Sequence, residues 1–241
     1  MPKTTEGKDI KRIGIIAAME EEIRILKMHM ADSQIRSIAG TEYCFGKIGD
    51  YEVVLMQCGI GKVSAALGTQ AMILEYQPDC IINTGCAGAL AAGLKIGGMV
   101  VATQTVEWDI DMLAIGFPRG FVTTMNGVLM QADPAVSEWI AAAIPFDVQV
   151  SRGLVVSGDQ FVSTPEQREI ILGSFPDARC AEMEGGAIGH VCAQNAIPFA
   201  VVRCMSDTAD GDSDVNFALF VKEAGEKSAE ILLSLLSRET A

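Results

Sequence analysis

Histidine is nearly missing from this chain: 241 residues hold only His29 and His190. A histidine-centred nucleophilic triad or a histidine metal cluster has too few members, and the apolar neighbours of both rings point to packing or surface roles. Basic residues are also scarce, 18 against 31 acidic ones, for a formal charge of −13. Nucleic acids and anionic membranes are held by basic faces that release counterions, so generic binding to either is excluded. A highly anionic substrate would need a local basic nest.

No Cys-x-x-Cys pair occurs among the seven cysteines, at 44, 58, 80, 86, 180, 192 and 204. An odd set without that spacing reads as reduced thiols in a cytosolic core rather than a disulfide framework or zinc site. Long apolar runs are lacking too. The stretch 85–102 is broken by Lys95 and five glycines, which rules out a membrane helix. The opening MPKTTEGKDIKR lacks the apolar segment of a signal peptide, so a cytoplasmic location is expected.

What the chain does have is apolar content, 49% against 20% charged, which is ample for a buried core and excludes disorder. Its length suits one large α/β domain as well as two small ones. No linker, repeat or low-complexity segment divides it, so one domain is expected over 12–241, preceded by a polar tail at 1–11. Apolar runs at 13–18, 51–58, 80–85, 98–108, 153–157, 179–182 and 198–207 read as strands. Helical patterns follow at 19–30, 62–76, 134–144, from 165, at 185–195 and at 215–237. Alternating strands and helices predict a three-layer α/β/α architecture with a parallel or mixed central sheet. The segment 109–127, with four glycine or proline breaks, reads as a functional or interface loop.

Ligands of such sheets sit at the carboxyl ends of strands, which draws attention to four clusters: Met19 to Glu22, Thr84 to Gly88, Glu182-Met183-Glu184, and Arg203 to Asp207. Three glutamates opening a helix are by themselves surface charges that suit the helix dipole. Glu22 alone shares the inward stripe of Met19 and Ile23. Gly85-Cys86-Ala87-Gly88 is not a dinucleotide fingerprint, and GIGKV (59–63) is not a phosphate loop, because Met56 stands at the first glycine position and Val63 replaces the magnesium-binding hydroxyl. Tight strand-to-helix packing accounts for both. The run Asp210, Asp212, Asp214 resembles the start of a calcium loop, but Val215 and Val221 occupy its sixth and twelfth positions, which excludes calcium. No metal or cofactor is expected. Glu184 could be a helix cap, and Asp207 a cap or a proton donor. Taken together, Glu22, Glu184 and Asp207 could supply a base for water, an anchor for sugar hydroxyls and an acid for a leaving group. That division suits glycosidic hydrolysis through an oxocarbenium-like state.

The segments IGIIAAMEEEI (13–23), GIGKVSAA (59–66), INTGCAGAL (82–90), SGDQF (157–161) and AEMEGGAIGHVC with IPFAVVRCMSDTAD (181–210) resemble the bacterial 5'-methylthioadenosine/S-adenosylhomocysteine nucleosidases. The resemblance implies the nucleoside phosphorylase-like fold and release of adenine from a 5'-thio-substituted ribose. Under it, Glu22 is the base for the nucleophilic water, Glu184 binds the ribose hydroxyls, and Asp207 protonates adenine at N7. Phe161 stacks on adenine and the Val162 backbone reads its edge. Met19 and Met183 pack on ribose and base, Ser206 orients Asp207, and Arg203 orients Glu22. Ile60 and Phe217 line the 5'-alkylthio pocket. Cys86, Ala87, Gly88 and Glu182 join the substrate-binding set.

Two departures stand out. Cys86 replaces a usual serine near the water, and in WDIDMLAIGFPRGF (108–121) Trp108 and Phe117 replace a histidine and a tyrosine. In the family this loop reaches a neighbouring subunit, so a homodimer is implied, with Met112, Ile115, Phe117 and Pro118 walling the pocket. Alternatives are an aminodeoxyfutalosine nucleosidase, a purine nucleoside phosphorylase, and a nucleoside-binding or sensing protein. Asn83 stands where phosphorylases commonly carry an arginine, which favours water as the nucleophile.

Overall fold

Strand β1 (Arg12–Ala17) sends Ile13, Ile15 and Ala17 into one buried cluster and Ile16 into another. A strand apolar on both faces belongs in the middle of a covered sheet. After it come a 3-10 turn (Glu20–Glu22), α1 (Arg24–Met28), β2 (Ala31–Ile38), β3 (Thr41–Ile48), β4 (Tyr51–Gln57), α2 (Lys62–Tyr76) and β5 (Cys80–Ala89). Then follow β6 (Met99–Glu107), a 3-10 turn (Leu113–Ile115), β7 (Met130–Gln131), α3 (Pro134–Ala141), β8 (Val150–Ser157), α4 (Pro165–Ser174), β9 (Ala178–Glu182), α5 (Gly185–Gln194), β10 (Phe199–Asp207) and α6 (Phe217–Leu236). The computed structural model describes residues 1–207 and 217–238, with the side chains of α6 from residue 220 onward. The side chain of Phe217 and the aspartates 210, 212 and 214 lie outside the described residues.

All ten strands join one mixed sheet in the order β10-β6-β8-β9-β5-β1-β4-β3-β2, with β7 on β6. Because β10 also pairs with β5, strands β5, β10, β6, β8 and β9 close on themselves. Helices α2 and α5 pack together on one face, while α1, α3 and α6 cover the other. A third cluster under α4 holds Trp108, Val162, Ile171 and Phe175. Before β1, Ile10 is buried in the same cluster as Ile13, and the Thr5 hydroxyl donates to Asp133, the N-cap of α3. No described helix is long and apolar enough to cross a membrane.

Two local expectations are corrected, and one hairpin has no counterpart among them. The helix expected over 19–30 breaks into a 3-10 turn and the five-residue α1, because the Glu22 side chain folds back onto the backbone N–H groups of Ala18 and Met19. The expected turn after residue 85 is strand: β5 runs to Ala89, held by β10 and, at Gly88 and Ala89, by β9. The hairpin β2–β3 carries no apolar alternation on its outer strand, which is exposed along nearly its whole length. Its turn residues Ala39 and Gly40 both have positive φ, the two-residue geometry that fits strand twist.

Helix α5 opens Gly-Gly-Ala-Ile-Gly and lies unusually close to the sheet. A Cβ at Gly189 would sit 2.6 Å from Thr105 Oγ1 and 2.9 Å from the Phe199 ring, whereas one at Gly173 in α4 would meet nothing within 4 Å. Alanine normally gains about 1 kcal/mol over glycine inside a helix. Gly189→Ala is therefore expected to reverse that sign and destabilise by about 1–3 kcal/mol through overpacking. Gly173→Ala should stabilise by about 0.5–1 kcal/mol. Urea unfolding of the two variants checks the pair.

Candidate active site

Arg203 lies in the middle of β10 and is 1% exposed, a guanidinium deep in a sheet of apolar residues. Such a charge persists only if paired and hydrogen-bonded. Its Nη2 donates to Asn83 Oδ1 at 2.6 Å, to Glu182, and to Glu184 Oε2 at 3.4 Å; Nη1 reaches the Cys86 carbonyl at 3.4 Å. Burial alone would lower the arginine's pKa, but the surrounding charges of Glu182, Glu184 and Glu22 raise it. Asn83 is itself fixed by donating to the Ile16 carbonyl at 3.0 Å. Arg203 makes no hydrogen bond to Glu22, the residue it was expected to orient; register places it opposite Gly85 on β5.

The two glutamates around it differ in what their oxygens already hold. Glu182 accepts from Arg203, from the Ser157 hydroxyl, from Glu184 N at 3.0 Å and from Gly185 N at 2.8 Å. Expected among the substrate-binding residues, Glu182 lines the cavity, and its carboxylate also caps α5 and holds the arginine. Glu184 accepts from Gly61 N at 3.0 Å besides the long Arg203 contact. Burial pushes its carboxyl up to about 7, with Arg203 opposing and Glu182 adding to the rise.

Glu22 is anchored by three backbone donors: Ala18 N and Met19 N on Oε2 at 2.9 and 3.0 Å, and Cys86 N on Oε1 at 3.0 Å. Gly85 makes this possible, since a Cβ there would lie 2.4 Å from Arg203 Nη1 and 2.5 Å from Glu22 Oε1. Asp207, 3% exposed at the end of β10, accepts from the Ser206 hydroxyl at 2.9 Å. Burial raises the Cys86 thiol above its ordinary pKa, as does the Glu22 charge, so it stays a neutral thiol.

These residues line one cavity of about 350 Å³, within the range of small-molecule sites. Met19, Glu22, Ile60, Cys86, Ala87 and Gly88 meet Phe161, Val162, Met183, Glu184, Ser206 and Asp207 around it. Ile60 and Phe161 are exposed at its mouth. Within the single chain Met112, Ile115, Phe117 and Pro118 do not line it; Ile115 is 71% exposed and Phe117 stacks on Phe121. Trp108 is buried away from it, beneath Gly158. The sequence reading missed Ala18, Gln160, Ala181 and Val221 in the lining and the braces Asn83, Ser157 and Gly61. An amide in the apolar run CIINTG was the visible signal for Asn83.

A model of the Phosphorylase superfamily matches residues 12–237. A 5'-methylthioadenosine/S-adenosylhomocysteine nucleosidase of Staphylococcus carnosus (strain TM300) is 41% identical over 224 residues, 93% of this chain and 98% of its own. The chain belongs to that nucleosidase family. Among solved structures, the Neisseria meningitidis nucleosidase in complex with methylthio-immucillin-A superposes with a TM-score of 0.90 at 36% identity, over 95% of this chain and 99% of that one. Futalosine hydrolase of Helicobacter pylori superposes with 0.87 at 31% identity, over 94% and 97%.

In this member of the nucleosidase family, four carboxylates, Glu22, Glu182, Glu184 and Asp207, face the cavity, and among the described lining residues Arg203 is the one basic side chain. Arg203→Met removes the charge that compensates two of them and should destabilise by about 3–5 kcal/mol near pH 8, as for other broken buried pairs. With the guanidinium gone the Glu184 carboxyl rises further above its unfolded value. A raised carboxyl favours the fold at low pH and loses that contribution as pH climbs through its folded pKa. The deficit should therefore shrink at pH 5, as urea unfolding at the two pH values will show.

Proposed function

We propose that this chain hydrolyses the N-ribosidic bond of 5'-methylthioadenosine and S-adenosylhomocysteine, with 5'-deoxyadenosine as a further substrate, releasing adenine and the 5'-substituted ribose. The observation that carries this reading is the charge arrangement: an apolar cavity ringed by carboxylates whose single cation is already paired. Such a site favours a neutral nucleoside whose ribose becomes cationic, and opposes entry of a phosphate dianion. Water is then the nucleophile.

In this mechanism Glu22 takes a proton from the water that attacks the anomeric carbon. Its three backbone hydrogen bonds hold the carboxylate still for that task. Glu184 receives the ribose hydroxyls and, ionised, stabilises the developing cation. Asp207, oriented by Ser206, gives its proton to N7 so that adenine departs neutral. Phe161 covers the base, the Val162 backbone reads its edge, and Met19 and Met183 fill the apolar walls with adaptable thioethers. Ile60 borders the 5' substituent.

A second copy of the chain completes the site in this reading. Val63, Leu67 and Leu74 leave an apolar stripe exposed on α2, and Leu113 and Ile115 are exposed on the adjoining loop, which supports a homodimer in which Met112, Ile115, Phe117 and Pro118 wall the neighbour's pocket. The seven free cysteines support a reducing, cytoplasmic setting.

The test is adenine release from methylthioadenosine, S-adenosylhomocysteine, 5'-deoxyadenosine, aminodeoxyfutalosine, inosine and AMP, with and without phosphate. Turnover of the first two without phosphate is expected; a strict phosphate requirement overturns the hydrolase reading, and a preference for aminodeoxyfutalosine overturns the substrate. Asp207→Asn should keep substrate binding but lower kcat by about 10²–10⁴-fold. Because the Glu184 carboxyl sits at about 7, it is neutral below that value and charged above it. The rate constant kcat/KM should accordingly climb through an acid limb near neutrality, and Glu184→Gln should remove the limb along with most of the rate.

A further inference from the structure

Lys62, in a segment first weighed as a phosphate loop, closes a ring of hydrogen bonds. Its ammonium donates to Asp109 Oδ1 at 2.7 Å. The other oxygen of Asp109 accepts from the backbone N–H of Asp159 at 2.8 Å. Asp159 Oδ1 in turn accepts from the backbone N–H of Lys62 at 2.7 Å. The three residues come from the start of α2, the turn after β6 and the turn after β8, and each turn is linked to the next by a hydrogen bond with a charged partner.

The surroundings support the ring from inside. Lys62 also meets Glu107 Oε2 at 3.0 Å, and His190 holds the other Glu107 oxygen at 2.8 Å. Burial acts to lower the Lys62 pKa, but the hydrogen bond to Asp109 and the charge of Glu107 outweigh it. Gly158 has no room for a side chain, since a Cβ there would lie 2.5 Å from Trp108 Nε1 and 3.1 Å from the Asp109 carboxyl carbon, and Gly61 has a φ of +103° that disfavours one.

None of the three ring residues lines the cavity, yet two of the joined turns border it. Ile60 and Gly61 precede Lys62, and Gly61 N holds Glu184. Gln160, Phe161 and Val162 follow Asp159 and line the opposite edge. We propose that Lys62, Asp109 and Asp159 are positioning residues, a ring that fixes the Phe161 edge of the cavity against the Ile60–Glu184 edge and so sets how a nucleoside is gripped between them. This rests on the nucleosidase reading above. Asp109 also roots the 108–121 loop in the same ring.

Asp159 is exposed, so its loss strands no buried charge and the fold is spared. Asp159→Asn keeps an oxygen that accepts the Lys62 N–H, while Asp159→Ala does not. Asp159→Ala should raise KM for methylthioadenosine by about tenfold, the loss expected of one hydrogen bond to a charged partner, with kcat within about threefold. Asp159→Asn should stay within about twofold of the parent. Adding Asp159→Ala to Lys62→Met should cost no more than Lys62→Met alone, because a broken ring cannot be broken twice. Amide hydrogen exchange, which needs no substrate, should quicken at 158–162 in Asp159→Ala and not in Asp159→Asn. Unchanged KM and exchange in Asp159→Ala, an equal defect in Asp159→Asn, or additive losses in the double variant would each overturn the ring. An inactive parent protein would instead overturn the nucleosidase reading, leaving the exchange comparison to decide the ring by itself.

Discussion

The buried guanidinium of Arg203 is the constraint around which the site is arranged. A charge at that depth demands partners, and the structure supplies them from four places in the chain: Asn83 and the Cys86 carbonyl on β5, Glu182 at the end of β9 and Glu184 at the start of α5. Meeting that demand fixes other features. Residue 85 is glycine, because the space a side chain would take is shared by Arg203 and Glu22. Strand β5 runs past its glycines, because pairing with β10 keeps Arg203 in register with its partners. Neutralising Arg203 uses up the one cation among the cavity's described lining residues, and under the proposed function the remaining carboxylates meet the positive charge developing on a bound sugar.

Glu182 and Glu184 show how position decides role at nearly the same point in sequence. Both are buried, both touch Arg203, and one residue separates them. Glu182 is occupied by a hydroxyl, two backbone donors and the arginine, so its oxygens already have structural work. Glu184 takes one short backbone bond and one long contact, and burial keeps its proton until about pH 7. An under-solvated carboxyl beside an apolar wall gains most from a cationic neighbour. The same contrast separates Glu22, turned inward by three backbone donors, from Glu20, which pairs with Lys27 at the surface.

The elements that could be read in the chain are those with apolar residues on both faces or with clear caps. Strands β1, β4 and β10 carry apolar runs at 13–17, 53–56 and 199–202 because helices cover both sides of them, and α4 begins at the expected proline with a Thr164–Gln167 capping box. The hairpin β2–β3 escaped notice because its outer strand has a sheet neighbour on one side only and faces solvent, so no pattern of burial marks it. Helix 19–30 was read as continuous from apolar spacing, which does not reveal that a carboxylate will bind the backbone upstream. Glycines 85 and 88 were read as a turn for the same reason: their use in a strand depends on side chains more than a hundred residues away.

The sequence by itself determined the chemical vocabulary: few histidines, few cations, reduced thiols, and carboxylates placed just after apolar strands. Two histidines are too few for a histidine-based triad or cluster, and the ordered motifs point to one nucleosidase family. Only the tertiary structure decided that the oxygens of Glu182 are filled by donors while those of Glu184 are not, that Arg203 hydrogen-bonds Glu182 and Glu184 but not Glu22, and that Lys62 joins the turns after β6 and β8. The physical reason is that a side chain's charge state and role follow from the partners it finds. Those partners lie on β5, at the end of β9, at the starts of α2 and α5 and on the turns after β6 and β8, brought into contact by the fold and by no spacing along the chain.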